Sequence, residues 1–400
     1  MKKALAIFLA ILMCCAFFAS NIKEEAHADG EAKTIKIGAL AHETGWFNIM
    51  DLNNTYELRC LVDIINEDGG FEINGTKYMI DLVIADGQSD SEGVRSAAML
   101  LADEGCEYVI ETNDFWVIAA EDIFESQGIF HICSYSTYVD GFLGEQNPYA
   151  FTGANGAAGD YASGMSILNE YYPEVKSVVM CIDDGDHIPR LQELLKACAD
   201  SYGIEVLEPV TFSGDTVDVT AIATKLKALD ADALISAGSI TTLGGIMKEL
   251  RNAGNDMVCA VTIGQPAENL ITICGEAAAS NAFTLGAPTD PAENTEIVNL
   301  LKERVKEEYG EEVAANFTGN FANCLWQIID VMKQCGSVEV EDVIAAWEQC
   351  ETIETIYGTG YPCGAQTYGI ANHAVENPTP VNLIVDGKAQ FAGWLDVSIP

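Results

Sequence analysis

The stretch "IKIGALAHETGWFNIMD", residues 35–51, begins with β-branched and small apolar residues and ends on a glycine followed by Trp46, Phe47 and Asn48. Its first half reads as a strand buried on both faces, the pattern of a parallel sheet flanked by helices. Its second half places two large rings in a loop where that strand ends. Rings of this size bury large areas when something covers them, so their position raises the question of what does.

Working outward, short β-branched runs alternate with longer amphipathic ones, which is the α/β signature. After the loop, Leu58, Leu61, Val62 and Ile65 fall at helical spacing, which predicts a helix over 53–67 that stops at "DGG". "YMIDLVIAD" is a second strand, and "SDSEGVRSAAMLLADEG" a helix with Asp90 or Ser89 available to cap its free N–H groups. "EYVIE" and "IFHICS" are further strands, separated by the helical "VIAAEDIFESQG". Around "NPYAFTGANGAAGD" the composition turns glycine-rich and the pattern restarts, marking a second lobe with strands "SVVMCI", "IEVLEPV", "DALISA" and "MVCAVTI". Helices are predicted over 293–309, 316–335 and 340–349, and "VNLIVDGKAQFAGWL" reads as two strands turning at Asp386-Gly387. The chain therefore reads as two Rossmann-like lobes with central, mostly parallel sheets and a cleft between them. We place 29–150 plus 286–350 in the first lobe and 151–285 plus 351–400 in the second.

Residues 1–28 read as a signal peptide, with Lys2 and Lys3 before an apolar run and a cleavage site at Ala26-His27-Ala28. Cys14 or Cys15 offers a lipid-anchored alternative. The protein is thus expected to be exported, to the periplasm or the outer face of a membrane. With 61 acidic against 20 basic residues the net charge is −41, which makes phosphate backbones and anionic lipids repulsive partners and argues against nucleic-acid binding. Of the 13 cysteines, most sit in apolar contexts such as "IFHIC" and "VVMCI", as small core residues do. One oxidised pair among Cys335, Cys350 and Cys363 stays open. The five histidines are dispersed and Cys-x-x-Cys is missing, so no metal site is expected. The acids of 183–186 lack the alternation and closing glutamate of a calcium loop.

In open parallel sheets, ligands bind beyond the carboxyl ends of the strands, where loops converge and helix N-termini present free donors. Those loops carry Glu43, Thr44, Trp46 and Phe47; Asn113, Asp114, Phe115 and Trp116; and Tyr135, Ser136 and Thr137. In the second lobe they carry His187, Ser239 and Gln265. Aromatics paired with hydroxyls and amides suit a cleft that holds a small polar-headed molecule.

Several of these segments resemble the Leu/Ile/Val-binding family of periplasmic solute-binding proteins, the extracellular components of ABC importers. They are "IKIGALAHETG", "DIINEDGGFEINGTKYMIDLVIADGQSD", "ESQGIFHICSYST", "NPYAF" and "FSGDTVDVTAIATKLKALDADALISAG", in order over 34–290. The resemblance implies two lobes joined by three crossings, hinge closure over a ligand, permease subunits as membrane partners and a monomer needing no cofactor. Asn113-Asp114-Phe115 departs from the family's small or hydroxyl residue there, and Gly264-Gln265 from its acidic turn, so the usual clamp on an amino acid is altered at both ends. The expected solute is small and partly aromatic or amphipathic. An amino-acid ligand, or a sensor role signalling to a receptor, is the alternative. An enzyme is not expected, because the sequence holds no nucleophile elbow, phosphate loop or dinucleotide glycine fingerprint.

Overall fold

A computed structural model describes residues 32–399 apart from 137–140, 186, 214, 215, 217, 237 and 263, and without the side chains of Ile49 and Phe115. The leader and Thr137 lie outside the described residues. The chain builds two sheets. The first has nine strands, in the order Ile353–Thr355, Gly358–Cys363, Ala374–Glu376, Ala150–Thr152, Phe130–Tyr135, Tyr108–Asn113, Lys33–Ala41, Thr76–Asp86 and Phe71–Ile73. The second has eight. Lys388–Leu395, Thr379–Val385, Ala282–Thr284, Val258–Val261, Ala233–Ser236, Ser177–Asp183 and Glu205–Val206 follow in that order, and Val210–Phe212 pairs beside Ser177–Asp183.

Both sheets are parallel at their centres, with register from Lys33↔Tyr78 to Ala41↔Asp86 in the first and from Ala233↔Val258 to Ser236↔Val261 in the second. The buried runs of the sequence are these central strands. Asp90 caps the helix Ser91–Asp103 by accepting the Gly93 N–H at 2.7 Å. The tail hairpin turns at Asp386-Gly387 and adds to the second sheet through the pairing Ala282↔Ile384.

Several boundaries differ from the sequence expectation. "IEVLEPV" is two short strands, because Pro209 has no N–H to continue a ladder. The helix expected from 53 starts at Asn48, which shortens the ring-bearing loop to 42–47. Asp114–Val117, expected as loop, is one helical turn. "GANGAAG" opens the helix Gly156–Tyr171, whose small residues let it pack into the second core beside Val178 and Ile235. Three strands between 353 and 376 join the first sheet rather than the second, where the sequence reading put 351–400. Ala374↔Thr152 and Tyr361↔Glu376 are their pairings, and Ile353 and Val375 bury in the first core.

That core seats Phe321, Leu325, Ile328 and Met332 of the helix Asn320–Cys335 against the first sheet, with Trp347 over a stacked Phe130–Phe151 pair whose centroids lie 4.4 Å apart. Each such side chain contributes about 1.5–3 kcal/mol by leaving water. Glu57, wholly buried on the helix Asn48–Glu67, accepts the Thr318 and Gly319 N–H groups at 3.0 and 2.6 Å, and burial raises its pKa to about 8. His131 lies between Glu111 and Glu125, each at 3.0 Å. Burial opposes its charge, yet the two carboxylates raise its pKa to about 9. All eleven described cysteines are free thiols, eight of them buried, so none of the pairs left open forms here.

The chain crosses between sheets at 153–155, after Ala282–Thr284, and at 377–378. The first and third crossings are bound by amides. Asn155 Nδ2 donates to the Asn377 carbonyl at 3.0 Å and accepts the Asn377 N–H at 2.6 Å through Oδ1. The Gly153 carbonyl accepts from Asn323, Gln327 and Asn377 at 3.2, 2.8 and 3.1 Å.

Candidate functional site

Because Lys33–Ala41, Thr76–Asp86, Tyr108–Asn113 and Phe130–Tyr135 run parallel, the loops that follow them leave one edge of the first sheet. His42 organises the first two loops. It is fully buried, and its Nδ1 accepts the Ser89 N–H at 2.8 Å, so in the neutral ring Nε2 bears the hydrogen. Burial lowers its pKa to about 4, against the raising effect of Asp86 and Asp90. The His42 N–H donates to Asp51 at 2.8 Å, and burial raises that carboxyl to about 7.

Asp86 holds the turn that follows. It accepts the N–H groups of Glu43, Thr44 and Gln88 at 3.1, 3.2 and 2.9 Å, and the Thr44 hydroxyl at 2.6 Å. Burial opposes its charge, but these donors outweigh it and hold the carboxyl below the usual range. Ser89 Oγ accepts the Phe47 N–H at 3.0 Å and donates to the Thr44 carbonyl at 3.0 Å. Gly45 has φ +83°, and a Cβ there would lie 2.4 Å from Ser89 Oγ, so a side chain would break this contact.

The aromatic rings gather on this frame. Phe47 is buried and Trp116 half-buried, each with its ring edge on His42, at 5.4 and 4.9 Å. Trp46 leans on both, at 5.3 Å from Phe47 and 5.9 Å from Trp116, yet stays 68% exposed. Glu43 pairs with Arg59 at 3.1 Å.

On the neighbouring strands, Asn113 stands opposite Tyr135 in register, and the buried Asp114 accepts the Ser136 hydroxyl at 2.9 Å. Phe115 shares the Asp114–Val117 turn. The Tyr135 hydroxyl donates to Asp160 Oδ2 at 2.6 Å.

Ser177–Asp183, Ala233–Ser236 and Val258–Val261 are parallel too, so His187, Ser239 and Gln265 follow one edge of the second sheet. His187 and Ser239 are exposed, immediately before the helices Ile188–Asp200 and Ile240–Asn252. Burial raises the Asp183 carboxyl, which the Ser239 N–H partly offsets. Gln265 Oε1 accepts from Asn269 at 3.3 Å.

The first edge thus brings together Glu43, Thr44, Trp46, Phe47 and Trp116, with Asn113, Asp114, Tyr135 and Ser136 alongside, while His187, Ser239 and Gln265 stand on the other sheet. The sequence reading overlooked His42, Asp51, Asp86, Ser89 and Asp160. Asp86 had a signal, as the last residue of a strand, whereas His42 is recognisable only by the partners folding brings to it. Among the described residues no group of three or more His, Cys, Asp or Glu is placed to hold a metal, and no helix is long and apolar enough to cross a membrane. Aromatic faces beside carboxylates and hydroxyls, held on a hydrogen-bonded frame, equip such an edge for non-covalent capture.

Comparison with known proteins agrees with this architecture. The chain is 24% identical over 357 residues to Leu/Ile/Val-binding protein homolog 3 of Brucella melitensis, covering 88% of this chain and 92% of that protein. The Leu-, Ile-, Val-, Thr- and Ala-binding protein of Brucella ovis, in closed conformation, superposes with a TM-score of 0.74 at 16% identity, over 92% of this chain and 96% of that one. The substrate-binding protein LivJ of Streptococcus pneumoniae, solved with isoleucine, gives 0.68 at 21% identity over 91% and 99%. A solute-binding protein of an ABC transporter from R. palustris, solved with benzoate, gives 0.67 at 14% over 92% and 98%. The family model described as periplasmic binding protein matches residues 34–382, and the chain belongs to that family.

Proposed function

We propose that this chain is the solute-binding component of an ABC importer, exported as a monomer, without catalytic activity or cofactor, and handing its solute to permease subunits in the membrane. The observation that carries the reading is Trp46. A tryptophan 68% exposed at the carboxyl end of a central strand, braced by two further rings, is a surface made to be covered. The solute is a small, partly planar or amphipathic molecule that lies between the two strand-end edges when the lobes close.

Trp46, Phe115 or Trp116, and Tyr135 form its bed, with Phe47 behind. Thr44, Asn113, Ser136, Thr137 and Gln265 supply hydrogen bonds, and His187 and Ser239 face it from the second lobe. Asp114, within the Asn113-Asp114-Phe115 segment where the family resemblance implies a small or hydroxyl residue, disfavours a carboxylate beside it and favours an amine, as does Glu43. The test is a thermal-shift panel on the mature chain that includes isoleucine and benzoate, held by two of the relatives, together with aromatic amines. A bound solute raises the melting temperature by mass action. If Trp46→Ala and Asp114→Ala both left the affinity for every hit unchanged, the assignment of the site would be wrong.

A further inference from the structure

The Tyr135 hydroxyl bonds across the two lobes. Tyr135 ends a strand of the first sheet, whereas Asp160, 2.6 Å away, belongs to the helix Gly156–Tyr171 of the second core. A second bond runs beside it, from the Ala157 N–H to the Ser136 carbonyl at 2.9 Å. Close approach is required here: Gly156 has φ +57°, and a Cβ on it would lie 2.4 Å from that carbonyl. The same Ser136 donates its hydroxyl to Asp114, so the first turn of a second-lobe helix is hydrogen-bonded directly to residues of the candidate site.

We propose that Asp160 is a positioning residue: through Tyr135 it fixes the angle between the lobes, and gaining or losing its proton changes that angle. The link to solute affinity rests on the importer reading, but the lobe angle does not. Ionised, the carboxylate accepts a charge-assisted bond from Tyr135, whereas the protonated acid accepts only a weaker neutral one. Burial raises the Asp160 carboxyl to about 7 while the Tyr135 bond opposes the shift. Its titratable neighbours are phenols: Tyr135 from the strand, Tyr161 from its own helix, and Tyr368, which acts on Tyr135. No cation is among the groups that shift it.

The test uses the full mature chain without added solute, as wild type, Asp160→Asn and Tyr135→Phe. Small-angle scattering is recorded from pH 5.5 to 8.5, with melting temperatures alongside. We expect the radius of gyration of the wild type to shift across this range, and neither variant to shift. Because the fold favours the protonated acid, the wild type should also lose melting temperature relative to Asp160→Asn as pH rises from 3.8 towards 7. A wild-type radius independent of pH, or a wild-type shift retained in either variant, overturns the proposal. So does a melting difference without a change in radius, which reduces Asp160 to a stability residue. Tyr135→Phe keeps the test decisive if Asp160→Asn does not fold. A solute panel without hits would count against the importer reading and leave this outcome untouched.

Discussion

The strand-end loops of the two sheets are built differently. In the first lobe most N–H groups of the turn have a side-chain partner, and side chains tie it to its neighbours: His42 with Ser89 and Asp51, Asp86 with Glu43, Thr44 and Gln88, and Ser89 with Phe47. In the second, His187 and Ser239 stand in water at helix starts. The contrast teaches a division of labour. Under the proposed function, one lobe would offer a surface shaped before any solute arrives, which reduces the ordering cost of binding, and the other polar groups that would meet the solute on closure.

The contrast is broken hardest by removing its keystone. His42→Ala leaves a void beneath two rings and an unpaired Ser89 N–H, and should destabilise the protein by about 3 kcal/mol in urea titrations. Next in size is the response to alkali. Asp51 and Glu57 have carboxyls raised to about 7 and 8, so their stabilisation is present below the unfolded values of 3.8 and 4.5 and disappears as pH rises through the folded ones. His131, raised to about 9, contributes below 6.5 and loses that contribution as pH rises through its folded value. The melting temperature should therefore drop between pH 6 and 9, and Glu57→Gln should reduce that drop by on the order of 5 °C.

The comparison is sharpened by Trp46→Ala. Being exposed, the ring should cost no more than about 0.5 kcal/mol of stability, while solute affinity falls about tenfold or more by calorimetry. Smallest of all, His187→Ala and Ser239→Ala should each leave stability within about 0.5 kcal/mol and weaken binding only a few-fold, since solvated polar groups exchange one partner for another. Equal losses from Trp46→Ala and Ser239→Ala would erase the distinction between the lobes.

How much of this was legible beforehand depends on the kind of interaction. The central strands and the helices after them declared themselves through periodicity, because a strand buried on both faces leaves no room for polar residues. The glycine-rich helix Gly156–Tyr171 did not, since small residues carry little apolar signal and their use lies in close packing. The placement of 353–376 beside Ala150–Thr152 was also hidden, as a pairing between Ala374 and the sequence-distant Thr152 leaves no local mark. In the candidate site the aromatic loops were visible from residue type alone. The carboxyl groups that hold them were harder to see: Asp51 and Asp160 look in sequence like any of the 61 acids of this chain, and Asp86 was marked only by its place at the end of a strand. Tyr135 shows the same limit: its presence at the edge could be read, its bond to the opposite lobe could not.

The Gly153 carbonyl draws donors from a first-core helix and from the return crossing at once. Melting either half would strip this oxygen of partners that the surviving half still needs. The two halves are thereby thermodynamically married, and a calorimeter heating the chain should record one shared endotherm rather than a pair.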